Sequence, residues 1–307
     1  MAVSGQRQPD VNLINILLSA NTTVTSKVIA AAADKPTSTF LNKFLEIVPE
    51  VTLTDPKMLY KGVQVAAEGG FMGNMNVFLK IIDDKELGDK ASLIEELSQA
   101  MFMASQNGHA RIVSLLLDKY FLDVNYARYG DTLLKIAADQ NRKEVVELLL
   151  EKGADVNQVD YFNETTLANL CRRSSNDYLE VLKLLLANNA SVNQQNNYGG
   201  FALLHAAGNG YTEVVEVLLS NGADVELQNI PGETSLMRAS ERKKSEVVDI
   251  LIENGANITI PNRRNGRTAF LFAAISSYGN YDDQIRKTLD ILFKAGADIH
   301  KQVEMII

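Results

Sequence analysis

One phrase is written four times along this chain: EVVELLLEKGADVN from 144, EVLKLLLANNASVN from 180, EVVEVLLSNGADVE from 213 and EVVDILIENGANIT from 246. Successive starts lie 36, 33 and 33 residues apart. Such a period restricts the fold more than any single motif, because it implies one supersecondary unit copied in a row.

The stretch TLLKIAADQNRKEVVELLLEKGADVN over 132–157 shows what that unit is. Thr132 stands where a hydroxyl can accept a backbone N–H from a first helical turn. Leu133, Leu134, Ala137 and Ala138 follow at helical spacing, and the paired alanines let a neighbouring helix approach closely. A polar turn runs from Asp139 to Arg142. Val145, Val146, Leu148 and Leu149 then mark the apolar face of a second helix. Gly153 ends it, since the residue past a helix often takes positive φ. Two helices this short cannot bury their apolar faces alone. Laid against copies of themselves, they can.

The period and the spaced pattern T-x-L, A-A, E-V-V-x-L-L-L and G-A-D-V-N resemble the ankyrin repeat. TSLMRAS (234–240) and TAFLFAA (268–274) repeat the opening of the unit, and fainter copies are ALLHAAGNGYTEVVEVLL (202–219) and MFMASQNGHARIVSLLL (101–117). The resemblance implies an all-α solenoid of stacked helix-turn-helix units with hairpin-like finger loops. About six repeats are clear over 97–298, with two degenerate ones before them. Departures obey the same physics. Asn189 replaces the terminal glycine, and asparagine is the next residue most tolerant of a left-handed backbone. Extra residues fall in the RRSSND turn and around 276–284, between paired helices, where a surface loop absorbs them. Phe201 stands where threonine would cap, so that helix start is expected to be poorly capped.

Two domains are expected, an N-terminal helical cap with degenerate ankyrin-like repeats over 1–96 and an ankyrin-repeat domain over 97–307. A helical segment near 11–20, KVIAAAADKP (27–36) with STFLNKFLEIV (38–48), and GVQVAAEGG (62–70) with NMNVFLKII (74–82) read as a cap and two degenerate repeats. A separate small helical domain is the alternative. After the last GAD, only IHKQVEMII remains, with no dedicated polar cap. Two readings stay open there, a piece of a longer protein or a tail that folds back.

Thirty basic and 38 acidic residues leave a net charge of −8. An acidic chain is a poor counterion for phosphate, which argues against nucleic acid as partner. No apolar stretch approaches the roughly 18–20 residues that span a bilayer, so no membrane insertion is expected. One cysteine excludes an intrachain disulfide, and the start of the chain has no basic cluster before an apolar run. A monomeric cytoplasmic protein is expected, or one in the host cytosol if the chain is a secreted bacterial effector.

No constellation for catalysis emerges. His109, in NGHARIV, and His205, in LLHAAG, are read as hydrogen-bonding residues within and between repeats, and His300 as solvated. Cys171 takes the place of the second alanine and is expected to be a buried thiol. C-x-x-C, H-E-x-x-H and G-x-x-x-x-G-K-[ST] are absent. The glycine-rich AEGGFMGN lacks the lysine of a phosphate loop, and the pairs Asp83–Asp84 and Asp282–Asp283 are read as solvated in loops. Hence no catalytic residue, cofactor or metal is expected. An enzyme or targeting subunit with its site in the irregular N-terminal third is the alternative.

By the resemblance, targets are proteins, bound along the fingers and the groove lined by first helices. Finger tips carry Tyr126, Arg128 and Tyr129, then Tyr161 and Phe162, then Asn197 and Tyr198. First-helix ends carry Arg172, Arg173, Asn209 and Arg242, and the last finger, NRRNGR, carries Arg263 and Arg264. Tyrosine gives large contact area for little rotamer entropy. Phe162 and Phe201 are equally readable as packing against the neighbouring finger.

Overall fold

The computed structural model of the protein describes residues 33–34, 41–42, 56–86, 88–173, 176–275 and 283–297. The segments expected near 11–20, 27–36 and 38–48, the insertion around 276–282 and the tail with His300 lie wholly or largely outside them. The chain packs as two compact units. One runs to Tyr129 and includes Glu151–Gly153; the other holds Gly130–Leu150 and everything from Ala154.

The first unit is built from two described helix pairs: α1 (Pro56–Gly69) with α2 (Met72–Lys85), and α3 (Lys90–Asn107) with α4 (Ala110–Tyr120). Like helices meet like: α1 packs on α3 and α2 on α4. Ala66, Ala67, Ala100 and Ala104 are buried, so small side chains set the helix spacing. Gly62 makes room for a ring, since a Cβ there would sit 2.5 Å from Cζ of the buried Phe78. His109 Nε2 lies 3.0 Å from the Glu68 carbonyl, the backbone bond expected of it. The expected loop position of Asp83–Asp84 is incorrect. Both sit in the last turn of α2, because no breaker precedes Gly88 and the chain turns left-handed only at Glu86. Asp83 accepts from Lys119 Nζ at 2.6 Å and from the Tyr120 hydroxyl at 3.0 Å. Burial, then the adjacent Asp83 carboxylate, push the Tyr120 phenol well above its usual range.

In the second unit, five first helices follow one another: α5 (Leu133–Asp139), α7 (Thr166–Arg173), α9 (Ala202–Asn209), α11 (Ser235–Glu241) and α13 (Ala269–Ile275). Each packs on the next. Their partners are α6 (Lys143–Glu151), α8 (Leu179–Ala187), α10 (Thr212–Ser220), α12 (Ser245–Glu253) and α14 (Asp283–Lys294). From α8 onward these second helices also touch in succession. The buried set repeats with the sequence: Val145, Val146 and Leu149; Val181, Val214, Val215 and Leu218; Val247, Val248 and Leu251. Leu148 is only half buried, on the flank of that face. Thr132 caps α5 by accepting from the Lys135 amide at 3.0 Å, and Thr234 caps α11 from Met237 at 3.3 Å. Gly153 and Asn189 both take positive φ, as their places past a helix require. Phe201 makes no side-chain cap bond, and its ring is buried.

Side-chain amides tie the repeats of this unit together. Asn157 donates to the Asn189 carbonyl and accepts from the Ser191 amide at 2.7 Å. One repeat later, Asn193 donates to the Gly222 carbonyl and accepts from the Asp224 amide. The V-N ending of the repeated phrase therefore satisfies backbone groups of the following repeat.

Candidate functional site

Four fingers of the second unit are closed by one device. An Asx residue opens each tip: Asp160, Asn196, Asn229 and Asn262. Its backbone N–H donates to the carbonyl of Glu164, Gly200, Glu233 or Arg267, pinching the loop shut. Its side-chain oxygen accepts an amide from within the tip, as from Phe162 at 2.8 Å, Tyr198 at 2.9 Å, Glu233 at 2.7 Å and Arg267 at 2.8 Å. This is the local hydrogen bonding that favours Asx in turns. Near the end of each tip one residue takes positive φ: Asn163, Gly199, Gly232 and Gly266. Burial alone would raise the Asp160 carboxyl. The Glu164 and Phe162 amides and Lys135, at 3.2 Å, reverse that and hold it below the usual range.

Neighbouring tips are fastened by backbone. Asn197 N–H donates to the Phe162 carbonyl, and Arg263 N–H to the Pro231 carbonyl, both at 2.9 Å. Approach is close enough to need glycine. A Cβ on Gly199 would lie 2.5 Å from the Ile230 nitrogen, and one on Gly232 would lie 2.5 Å from the Arg263 nitrogen. With main chain so engaged, the large tip side chains turn outward. Tyr161 is 75% exposed, Tyr198 67% and Ile230 63%. Phe162 is half exposed, and its ring centroid lies 6.2 Å from that of Tyr198. Tyr161 also lies along Gly130, which has no side chain to displace it.

Below the tips runs a trench in three adjoining depressions. The first, about 470 Å³, has Phe162 and Tyr198 at its mouth and Glu164, Arg172, His205 and Arg238 within. The second, about 360 Å³, shares Arg172, His205 and Arg238 and adds Asn209 and Arg242. The third, about 440 Å³, continues from Arg242 to Lys244, Thr212 and Ser245. Glu164 is buried and takes up Arg172 at 3.1 Å and Asn196 at 3.2 Å. The reading of His205 as a hydrogen-bonding link is incorrect for Nε2. That atom is buried with no hydrogen-bond partner, 3.7 Å from a Glu164 oxygen already taken by Arg172 and Asn196. Burial drives the imidazole down to about 4, against the pull of Glu164, so the ring is neutral near pH 7.

The other residues singled out from sequence fall as follows. Arg173 lies 3.6 Å from Asp139. Asn209 donates to the carbonyls of Cys171 and Arg172 at 3.2 Å, closing the end of α7. Arg263 donates to the Gln228 side chain at 3.1 Å, and Arg264 is exposed. In the first unit, Tyr126 donates to Glu95 at 3.2 Å, while Tyr129 is exposed with the Arg128 guanidinium 5.2 Å from its ring centre. Cys171 is fully buried, and burial pushes its thiol up to about 12, where little thiolate exists near neutrality. Among the described residues no cluster of three or more His, Cys, Asp or Glu is placed to hold a metal, and no described helix is long and apolar enough to cross a membrane. Ile230 escaped the sequence reading. Its signal was its place directly after Asn229 and before Pro231-Gly232, the same slot that Tyr161 fills after Asp160 two repeats earlier.

Known proteins agree with this architecture. The chain is 39% identical over 111 residues to the E3 ubiquitin-protein ligase XBAT33 of Arabidopsis thaliana, covering 36% of this chain and 21% of that protein. It is 34% identical over 115 residues to the ankyrin repeat and SOCS box protein 6 of Homo sapiens, covering 36% of this chain and 27% of that protein. The chain thus spans only about a quarter of the length of these relatives. Among solved structures, an ankyrin repeat domain from Acinetobacter baumannii AYE superposes with a TM-score of 0.57 at 27% identity, covering 64% of this chain and 98% of that one. The family model for ankyrin repeats in three copies matches residues 64–160 and again 167–262, more than half of the sequence. With its helix pairs stacked like on like and its fingers closed by the same turn, the chain belongs to the ankyrin-repeat family.

Proposed function

We propose that the second unit is a non-enzymatic scaffold that grips a protein target across its finger tips and along the trench beneath them. The observation that carries this reading is the outward display of Tyr161, Phe162, Tyr198 and Ile230 on tips closed and cross-linked by backbone hydrogen bonds. Large aromatics held on pre-ordered loops lose little entropy on binding and are favoured as interface anchors. Ankyrin repeats generally mediate protein–protein interaction, and framework residues here are buried against one another while Tyr161, Tyr198 and Ile230 stay mostly exposed. The ligase and SOCS-box names belong to relatives most of whose length this chain does not share, and neither activity is carried over.

The test is affinity capture from lysate with wild-type protein beside the Tyr161→Ala/Tyr198→Ala variant, followed by titration of any captured protein. Each tyrosine is expected to contribute about 2 kcal/mol, a loss of about thirty-fold in affinity per residue. Retention of the same proteins at the same affinity by a variant with unchanged circular dichroism would overturn the reading. A Tyr129→Ala arm reports separately on the first unit.

A further inference from the structure

The trench runs against the overall charge of the chain. The protein carries a net −8, yet the three depressions are lined by Arg172, Arg238, Arg242, Lys243 and Lys244 against only Glu164 and Glu246. Two of these cations are already matched. Arg172 pairs with Glu164, and Arg238 with Glu233 at 2.5 Å and Glu241 at 2.9 Å. Arg242 and Lys244 have no carboxylate within 4 Å among the described residues. Arg242 is exposed and Lys244 partly so.

The placement of this strip is built in. Arg238 and Lys244 lie over Gly208 and Gly210 of the preceding repeat, where a Cβ would come within 2.7 Å of Arg238 Cγ or Lys244 Cδ. Bare backbone lets the aliphatic stems lie flat, so less freedom is lost when the charged heads are engaged. Thr212 and Ser245 line the same depression, with the buried Ser245 hydroxyl held by Gln284 at 3.2 Å. The floor is fixed as well, with Asn209 tied to the end of α7.

We propose that this trench takes an acidic polypeptide segment, with side-chain carboxylates of the bound chain meeting Arg242 and Lys244. This inference rests on the reading of the second unit as a protein-binding scaffold and names the chemistry of its partner. A carboxylate supplies what the strip lacks, and arginine presents a fork that matches it. A nucleic acid strand would bring one phosphate per nucleotide against an acidic protein that offers two uncommitted cations, so a peptide is the better match. Aromatic tips at one end of the trench and cations at the other let one extended segment use both, with apolar side chains toward Tyr198 and acidic ones toward Arg242.

The experiment is a fluorescence-anisotropy titration of the full chain against labelled hexaglutamate, with hexalysine and hexathymidylate as parallel probes, at low salt. Hexaglutamate is expected to bind, hexalysine not. Affinity for hexaglutamate is expected to fall about tenfold or more in the Arg242→Gln/Lys244→Gln variant and to weaken with added salt. Ser220→Ala, exposed at the end of α10 and outside both the tips and the trench, is expected to leave it unchanged. Absence of hexaglutamate binding, binding unmoved in the Gln/Gln variant, or hexathymidylate bound as tightly would each overturn the proposal. Because Tyr161→Ala tests the finger tips and the Gln/Gln variant tests the strip, the two readings fail separately.

Discussion

Phe201→Ala lowers the stability of the second unit by about 3–5 kcal/mol, the usual cost of emptying a buried aromatic site. The expectation comes from an exchange that this repeat has made. Elsewhere a threonine stands at the helix start and caps it, as Thr132, Thr165 and Thr234 do. At 201 the backbone keeps the extended capping conformation, φ −147° and ψ 163°, but no side chain accepts the orphan amides. The ring is 1% exposed instead. Phe201→Thr therefore separates two terms. It restores a cap worth about 1 kcal/mol and forfeits most of the ring's burial, so it should destabilise by less than the alanine variant. Urea unfolding followed by circular dichroism measures both. A threonine variant as stable as wild type would mean that the cap, and not the ring, holds this repeat.

Gly232→Val carries the second large effect. Left-handed backbone at φ +82° costs a side-chain-bearing residue about 1–3 kcal/mol. In addition the new Cβ would meet the Arg263 nitrogen at 2.5 Å, so the next finger must move. Together these give about 3 kcal/mol or more, with overpacking adding to the strain. The control is Gly222→Ala. Its φ is +84°, but nothing lies within 4 Å of the added Cβ, so it should lose about 1 kcal/mol from strain alone. Hydrogen exchange reads the difference in place. The Arg263 amide, bonded to the Pro231 carbonyl, should lose protection in Gly232→Val and keep it in Gly222→Ala. Equal protection in the two variants would show that finger contact does not depend on this glycine.

Sequence alone revealed what repetition multiplies. Val145, Val214 and Val247 recur at one slot of the phrase, and each is buried where a second helix meets its neighbours. The positive φ of Gly153 and Asn189 followed from their places past a helix. Single events were harder to see. Asp83 reads as a solvated loop residue because its partners, Lys119 and Tyr120, lie a whole repeat away. His205 reads as a hydrogen-bonding histidine because a string of letters cannot tell that Glu164 is already committed to Arg172 and Asn196. The matching of Arg172 and Arg238, which leaves Arg242 and Lys244 as the surplus, is likewise a property of three-dimensional neighbours. The Asx residues that open the fingers were legible in principle. Asp160, Asn196, Asn229 and Asn262 share one slot, and Ile230 follows directly from it.

The central claim is that the second unit meets its partner with finger tips and trench, and not with the outer faces of its second helices. Photo-crosslinking tests it most directly. Benzoylphenylalanine placed at Tyr198, on a tip, is compared with the same group at Glu216, exposed on α10. The account predicts a covalent adduct with the captured protein from position 198 and none from 216. Adducts from 216 with none from 198 would contradict it.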